Sequence, residues 1–206
     1  YMYGNPDGTT FDEVHNNTNN STIKTAVDNW YKTNIADKGY SSYVSNSIGF
    51  CGDRTIYSGG DGIQTDKDTY FGAYGRYAKN VAQFTCPEPS RDLYTTTDSS
   101  IGNKSLTYPV GLITYDELVF AGMDNRHINK LSWAYSTQYY WTMSPSYFIA
   151  AGGDAREWHL NSVGYLSRWY SVAYGFGARP VINLKSDTLI TGGIGTSSDP
   201  FIVKTN

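Results

Sequence analysis

"WHLNSVGYLSRWYSVAYGFGARPVINL", Trp158–Leu184, joins two unlike kinds of sequence. Its end, "RPVINL", is a nearly continuous apolar run that reads as one buried strand. Before it, His159, Tyr165, Arg168, Trp169, Tyr170, Tyr174 and Phe176 are spread among Ser, Gly and Ala. Period-two alternation sets Trp158 and Leu160 on one face of a strand and His159 on the other, with Leu166 a further candidate for the packed face. Trp158, Leu160, Leu166 and "RPVINL" are therefore expected to be frame. His159, Tyr165, Arg168, Tyr170, Tyr174 and Phe176 are expected at the surface, where Arg, Tyr and Trp dominate binding energies.

Working outward, "YYWTMSPSYF" (139–148) reads as a strand ending at Pro145. "REWHLNS", "GYLSRWYSVAY" and "GARPVINLK" are short strands parted by Gly-containing turns, and "TGGIGTSSDPFIVK" closes the chain as a hairpin. Upstream, "NNSTIKTAVDNWYKTNI" places Ile23, Ala26, Val27 and Trp30 at helical spacing behind a Ser21 or Thr22 cap. Thr114 and Glu117 form the T-x-x-E box of a second helix, which Gly122 ends. The stretch from Cys51 to Arg76 reads as loop, loosest over 52–70. Two helices followed by short, mostly antiparallel strands with long loops make an α+β fold in a single domain, 1–206.

The 206 residues can bury a real core. Net charge is -3 with no basic patch, which argues against a nucleic-acid partner. No apolar run approaches a bilayer's thickness, so no direct membrane contact is expected. The chain opens at "YMYGNPDG" without an initiator methionine and reads as an excised or processed piece, leaving room for an upstream anchor or leader. With 19 Tyr and 21 Gly against only 17% charged residues, the composition is that of binding loops, and it suits an extracellular setting. Cys51 and Cys86 are expected to form a disulfide, worth about 3–4 kcal/mol for a loop of this length, because the chain reads as secreted, with two buried thiols as the alternative.

Catalytic patterns are missing. His15, His127 and His159 stand alone, without metal-ligand spacing. Asp61, Asp66 and Asp68 lack the EF-hand pattern, so no cofactor is expected, with a structural calcium ion on that loop as the alternative to a plain polar turn. Cys51 lies near Arg54 but has no histidine close in sequence, which favours a structural cysteine. The pairs Asp12–Glu13 and Asp116–Glu117 fall at helix starts, where they complement the dipole.

"YYWTMSPSYF", "LNSVGYL", "GARPVINLKSD" and "GGIGTSSDPFIV" together resemble a Tyr-rich domain family of gut bacteria and their phages. That family belongs to the C-type lectin-like folds of the formylglycine-generating-enzyme type and includes variable proteins of diversity-generating retroelements. "STIKTAVDNWYKTNI", "GFCGDR" and "YPVGLITYDELVFAG" extend the resemblance along nearly the whole chain. It implies a rigid scaffold presenting a diversified segment, about 145–178, whose adenine-randomised codons yield Tyr, Ser, Gly, Asp, Ala, Arg, His and Phe. On that implication the ligand-binding residues are Tyr147, Ile149, Ala151, Gly152, Asp154, Arg156, His159, Tyr165, Arg168, Tyr170, Tyr174 and Phe176, joined by Trp169 as an exposed but fixed position. Glu157 and Trp158 do not fit an altered Asn codon, and Trp158 is assigned to the scaffold. Ala178 departs from the larger aliphatic residue usual before Arg-Pro.

The fold's oxidases use a late cysteine pair for copper, and here both cysteines come early. The histidine-rich iron sites of its sulfoxide synthases are absent, and "PEPS" (87–90) only echoes the calcium motifs of sugar-binding members. The expected function is non-enzymatic display of contacts for a protein or glycan ligand, on a bacterial surface, pilus or phage particle. A pilin-like structural subunit and a degenerate enzyme of the same fold are the competing classes.

Overall fold

The computed structural model describes residues 8–63, 66–96, 98, 101–196 and 198–205. Its organising element is a long hairpin made of β6 (Tyr140–Ile149) and β7 (Asp154–Leu160). The hairpin lies inside an antiparallel sheet of order β2–β3–β6–β7–β8, with β2 at Ile56–Gly59, β3 at Thr69–Phe71 and β8 at Leu166–Ser167. Four residues turn between β6 and β7, and Gly152 and Gly153 there take φ of 114° and 65°, a region that residues with a Cβ rarely enter.

Pro145 does not end β6. The register shifts on both sides of the Pro145–Glu157 pair, and such irregularities are where a strand interior accepts a residue without an N–H. The other expected strands are shorter than read. "GYLSRWYSVAY" pairs regularly only at Leu166–Ser167. "RPVINL" is not one buried strand: β9 is Pro180–Val181, paired with β5 (Gly111–Leu112), and Leu184 is exposed. The closing hairpin forms as β10 (Ile190–Gly192) and β11 (Ile202–Val203).

Both expected helices form. In α2 (Thr22–Tyr31) the Ser21 side chain accepts from the Lys24 N–H. Its inward face is Val27 and Tyr31 with Lys24, whose ammonium pairs with Asp28, while Ile23 and Trp30 are only partly covered. In α5 (Tyr115–Phe120) both halves of the Thr114–Glu117 box are made, and Gly122 follows at φ 81°. The acidic pairs sit in first turns as expected, Asp12 and Glu13 in α1 (Phe11–Val14) and Asp116 and Glu117 in α5. The stretch from Cys51 to Arg76, read as loop, instead supplies β2, β3 and the start of a further helix, and Pro89–Asp92 adds a short one. The further helix is α3 (Gly72–Lys79), with Ala73 in the core.

Hydrophobic side chains gather on both faces of the hairpin. On one, Trp141 and Met143 of β6 pack with Val27 and Tyr31 of α2 and with Phe50, Tyr94, Val110 and Leu112. On the other, Trp158, Leu160 and Leu166 pack with Ala73 of α3 and with Tyr115 and Leu118 of α5. Trp158, Leu160 and Leu166 are fully buried, as their alternation predicts. Cys51, at the end of β1 (Phe50–Cys51), is bonded to Cys86. Close by, the fully buried Arg54 donates through Nε to Asp92 Oδ1 at 2.7 Å. It also donates to the carbonyls of His15 and Arg91 and to Asn17 Oδ1, tying the N-terminal segment to the disulfide region. Asp92 ends α4 (Pro89–Asp92), just before β4 (Leu93–Tyr94) pairs with β1.

Candidate functional site

The residues expected to bind ligand cluster around β7 and the chain that follows β8. Ser167 pairs with His159, and Ser171 pairs with Arg156. Three residues, Arg168, Trp169 and Tyr170, therefore stand opposite only two, Glu157 and Trp158. The extra residue makes a bulge, which breaks strict alternation and re-aims side chains. Arg168 turns toward the Trp158 face and Tyr170 toward His159, while Trp169 is 59% exposed at the crest.

On the Trp158 face the Arg168 guanidinium carbon lies 4.5 Å from the ring centres of both Tyr77 and Trp169. Tyr74 and Trp158 are 5.3 and 5.7 Å away. Each such contact contributes about 0.5–1 kcal/mol at an exposed site and more when desolvated. Further along β7, Arg156 donates to Asp154 at 2.8 Å and to the Tyr147 hydroxyl at 2.6 Å. Partial burial works against the Asp154 charge, yet hydrogen bonds from Ser171 and Arg156 hold its carboxyl below the usual range. Arg156 is thus spent internally, at the wall of the cluster.

On the opposite face an aromatic box forms. Phe176 stacks on Trp141 at 4.6 Å and lies 4.8 Å from Tyr139. His159 stands 5.3–5.4 Å from Trp141, Tyr170 and Phe176. Two backbone hydrogen bonds hold this return: the Gly177 N–H donates to the Tyr139 carbonyl and the Trp141 N–H to the Gly177 carbonyl.

His159 is the main correction to the expected surface. It is completely buried, because its partner across the hairpin is Trp141, whose face Phe176 and Tyr170 roof over. Tyr147 is buried too, at 7% exposure, its ring against Tyr70 and Tyr74. Phe176 is half-buried as part of the box, and Ile149, Asp154, Arg156, Tyr165 and Arg168 are also half-covered. Ala151, Gly152, Trp169, Tyr170 and Tyr174 face solvent. The sequence reading missed Tyr70, Tyr74 and Tyr77, which come from β3 and the unexpected helix. The spacing of Ala73, Tyr74 and Tyr77 was their signal, masked by Gly72 and Gly75.

Among the described residues no group of three or more His, Cys, Asp or Glu could hold a metal. In the Asp61–Asp68 loop, Asp61 accepts from the Ile63 N–H, and Asp68 accepts from the Ala150 N–H across the sheet. No helix among the described residues is long and apolar enough to cross a membrane.

Burial pushes the pKa of His159 down to about 4, and burial assisted by Arg54 and Arg91 does the same for His15. Unfolded histidine protonates near its ordinary 6.5, so between 6.5 and 4 the unfolded chain binds more protons than the folded one. Stability is therefore complete above that window and falls as pH drops through it, by up to about 1.4 kcal/mol per pH unit for each histidine. Urea midpoints measured from pH 7 to 4.5 should show this decline, and His159→Phe should make it shallower, the His15 share remaining, while keeping an aromatic ring in the box. An unchanged slope in that variant would mean that His159 is charged, or accessible, in the folded protein.

No family model matches this chain, and no match is found among curated proteins or solved structures.

Proposed function

We propose that the chain is a C-type lectin-like display domain without catalytic activity, of the kind used as variable proteins by diversity-generating retroelements. Its recognition face binds a protein or glycan ligand outside the cell, on a bacterial surface, pilus or phage particle. The carrying observation is the bulge at Arg168–Tyr170. It lifts Trp169 into solvent, with Tyr170 and Tyr174 also exposed, from a segment that pairs with β7, whose Trp158 and Leu160 are wholly buried. Large rigid rings lose little entropy on contact, so such a crest suits binding. The Cys51–Cys86 disulfide suits an oxidising compartment.

The face is tested by separating stability from binding. Tyr174→Ala should change unfolding free energy by less than about 0.5 kcal/mol, the usual range for surface positions, and Trp169→Ala by about 1 kcal/mol, its contact with Arg168 included. Tyr147→Ala and His159→Ala should cost several times more, since both side chains are buried. Comparable destabilisation by all four would make the crest part of the core and end the display reading. The diversification part has its own test in the surrounding DNA. It expects a near-copy of the segment encoding 145–178 that differs at adenines, close to a reverse transcriptase gene.

A further inference from the structure

Arg168 is the one cation of the face whose hydrogen bonds are unspent. Its Nε is buried and donates to nothing, and no carboxylate among the described residues pairs with it. The neighbouring cations differ. Arg156 is engaged by Asp154 and Tyr147. Arg126 bonds Asn80 and lies 3.5 Å from Asp124. Arg168 opens onto a cleft of about 250 Å³ lined also by Tyr77, Asn125, Arg126, Tyr165 and Trp169. Rings hold the guanidinium in place, so little side-chain entropy remains to be lost when an anion docks.

We propose that this cleft receives an Asp or Glu carboxylate of a protein ligand, bound in the plane of the Arg168 guanidinium through its terminal N–H groups. The proposal rests on the display reading and names its ligand. Charge complementarity sets the sign, because two arginines converge on the cleft against one partly exposed carboxylate, Asp124. The cleft also carries Asn125, Ser167 and the hydroxyl-bearing Tyr77 and Tyr165, polar groups that a sugar would use too, so the arginine charge and the apolar crest beside it select the class. Trp169 lines the cleft and is 59% exposed at the crest, so the apolar surface beside Arg168 continues into solvent. That surface matches apolar side chains flanking one acidic residue on a protein.

The test uses a random peptide library displayed on phage and panned on the intact disulfide-bonded protein. Clones that lose binding on Trp169→Ala or Tyr174→Ala are sequenced and made as synthetic peptides. They should share an acidic residue. Changing it to Gln or Asn should weaken binding about tenfold or more, the scale of a charge-assisted bidentate contact. Arg168→Lys should weaken the acidic peptide by a similar factor and leave the amide peptide unaffected. If Arg168→Lys fails to fold, the acid-to-amide change on the unaltered protein decides alone. Face-directed clones without a shared acid, or amide peptides that bind equally well, overturn the carboxylate assignment and leave the display reading standing. Glucuronate saturating the cleft while acidic peptides do not bind would assign it to a sugar and overturn the protein ligand. An absence of any clone dependent on Trp169 or Tyr174 sinks both.

Discussion

Asp92→Ala is expected to lower the unfolding free energy by about 3–5 kcal/mol, the cost of leaving a buried charge without its partner. Asp92 and Arg54 are both fully buried, and Asp92 holds Arg54 through two hydrogen bonds, to Nε and to the backbone N–H. Arg91 adds a second cation on the same carboxylate at 2.8 Å. Without Asp92 the buried Arg54 guanidinium loses its carboxylate and keeps a second, partly exposed cation, Arg91, as its neighbour. The remaining Arg54 bonds, to His15, Asn17 and Arg91, would pull against the repulsion between the two. Urea unfolding of the oxidised protein measures the loss. Arg54→Met combined with Asp92→Ala should cost less than the sum of the single changes, because the second change removes the stranded charge. Additive losses would show that the two residues act independently.

Trp158→Ala should cost about 3–5 kcal/mol, the range for removing a large aromatic side chain from a packed core. Its indole lies 4.4 Å from Tyr115 and 5.4 Å from Tyr77, so it joins α5, α3 and β7. The indole N–H donates to nothing in the described structure, so the loss is one of volume and contact. Trp158→Phe should therefore retain most of the stability. Thermal unfolding distinguishes the two, and equal losses would mean that the N–H has a partner. The same indole is one of the rings around Arg168, so Trp158→Phe should also loosen that side chain. Affinity for an acidic peptide then falls more than the change in stability alone would suggest.

The cluster was legible only in part. Trp158 and Leu160 followed from alternation, because β7 is regular there. His159 obeyed the same alternation and lies on the opposite face, as read. The error was to equate that face with the surface. In a sheet covered on both sides the second face is also core, and Trp141, Tyr170 and Phe176 cover it here. Tyr147 was misplaced for a related reason. Its cover, Tyr70 and Tyr74, comes from a strand and a helix about seventy residues away in the chain. Pro145 misled because the bulges that accommodate it depend on the partner strand.

What the sequence by itself determined is local. Ser21 and Thr114 cap their helices, Gly122 ends one, and Gly152–Gly153 turns the hairpin. Each depends on hydrogen bonds or φ angles within a few residues. The α+β order and the buried row of Trp158, Leu160 and Leu166 follow from periodicity in the same way. Tertiary structure decided which aromatic rings face solvent. That depends on a one-residue mismatch between Ser167–Ser171 and Arg156–His159, and on α3 arriving from far upstream. A single extra residue reverses the direction of the side chains after it, and only the pairing of distant segments determines where it falls.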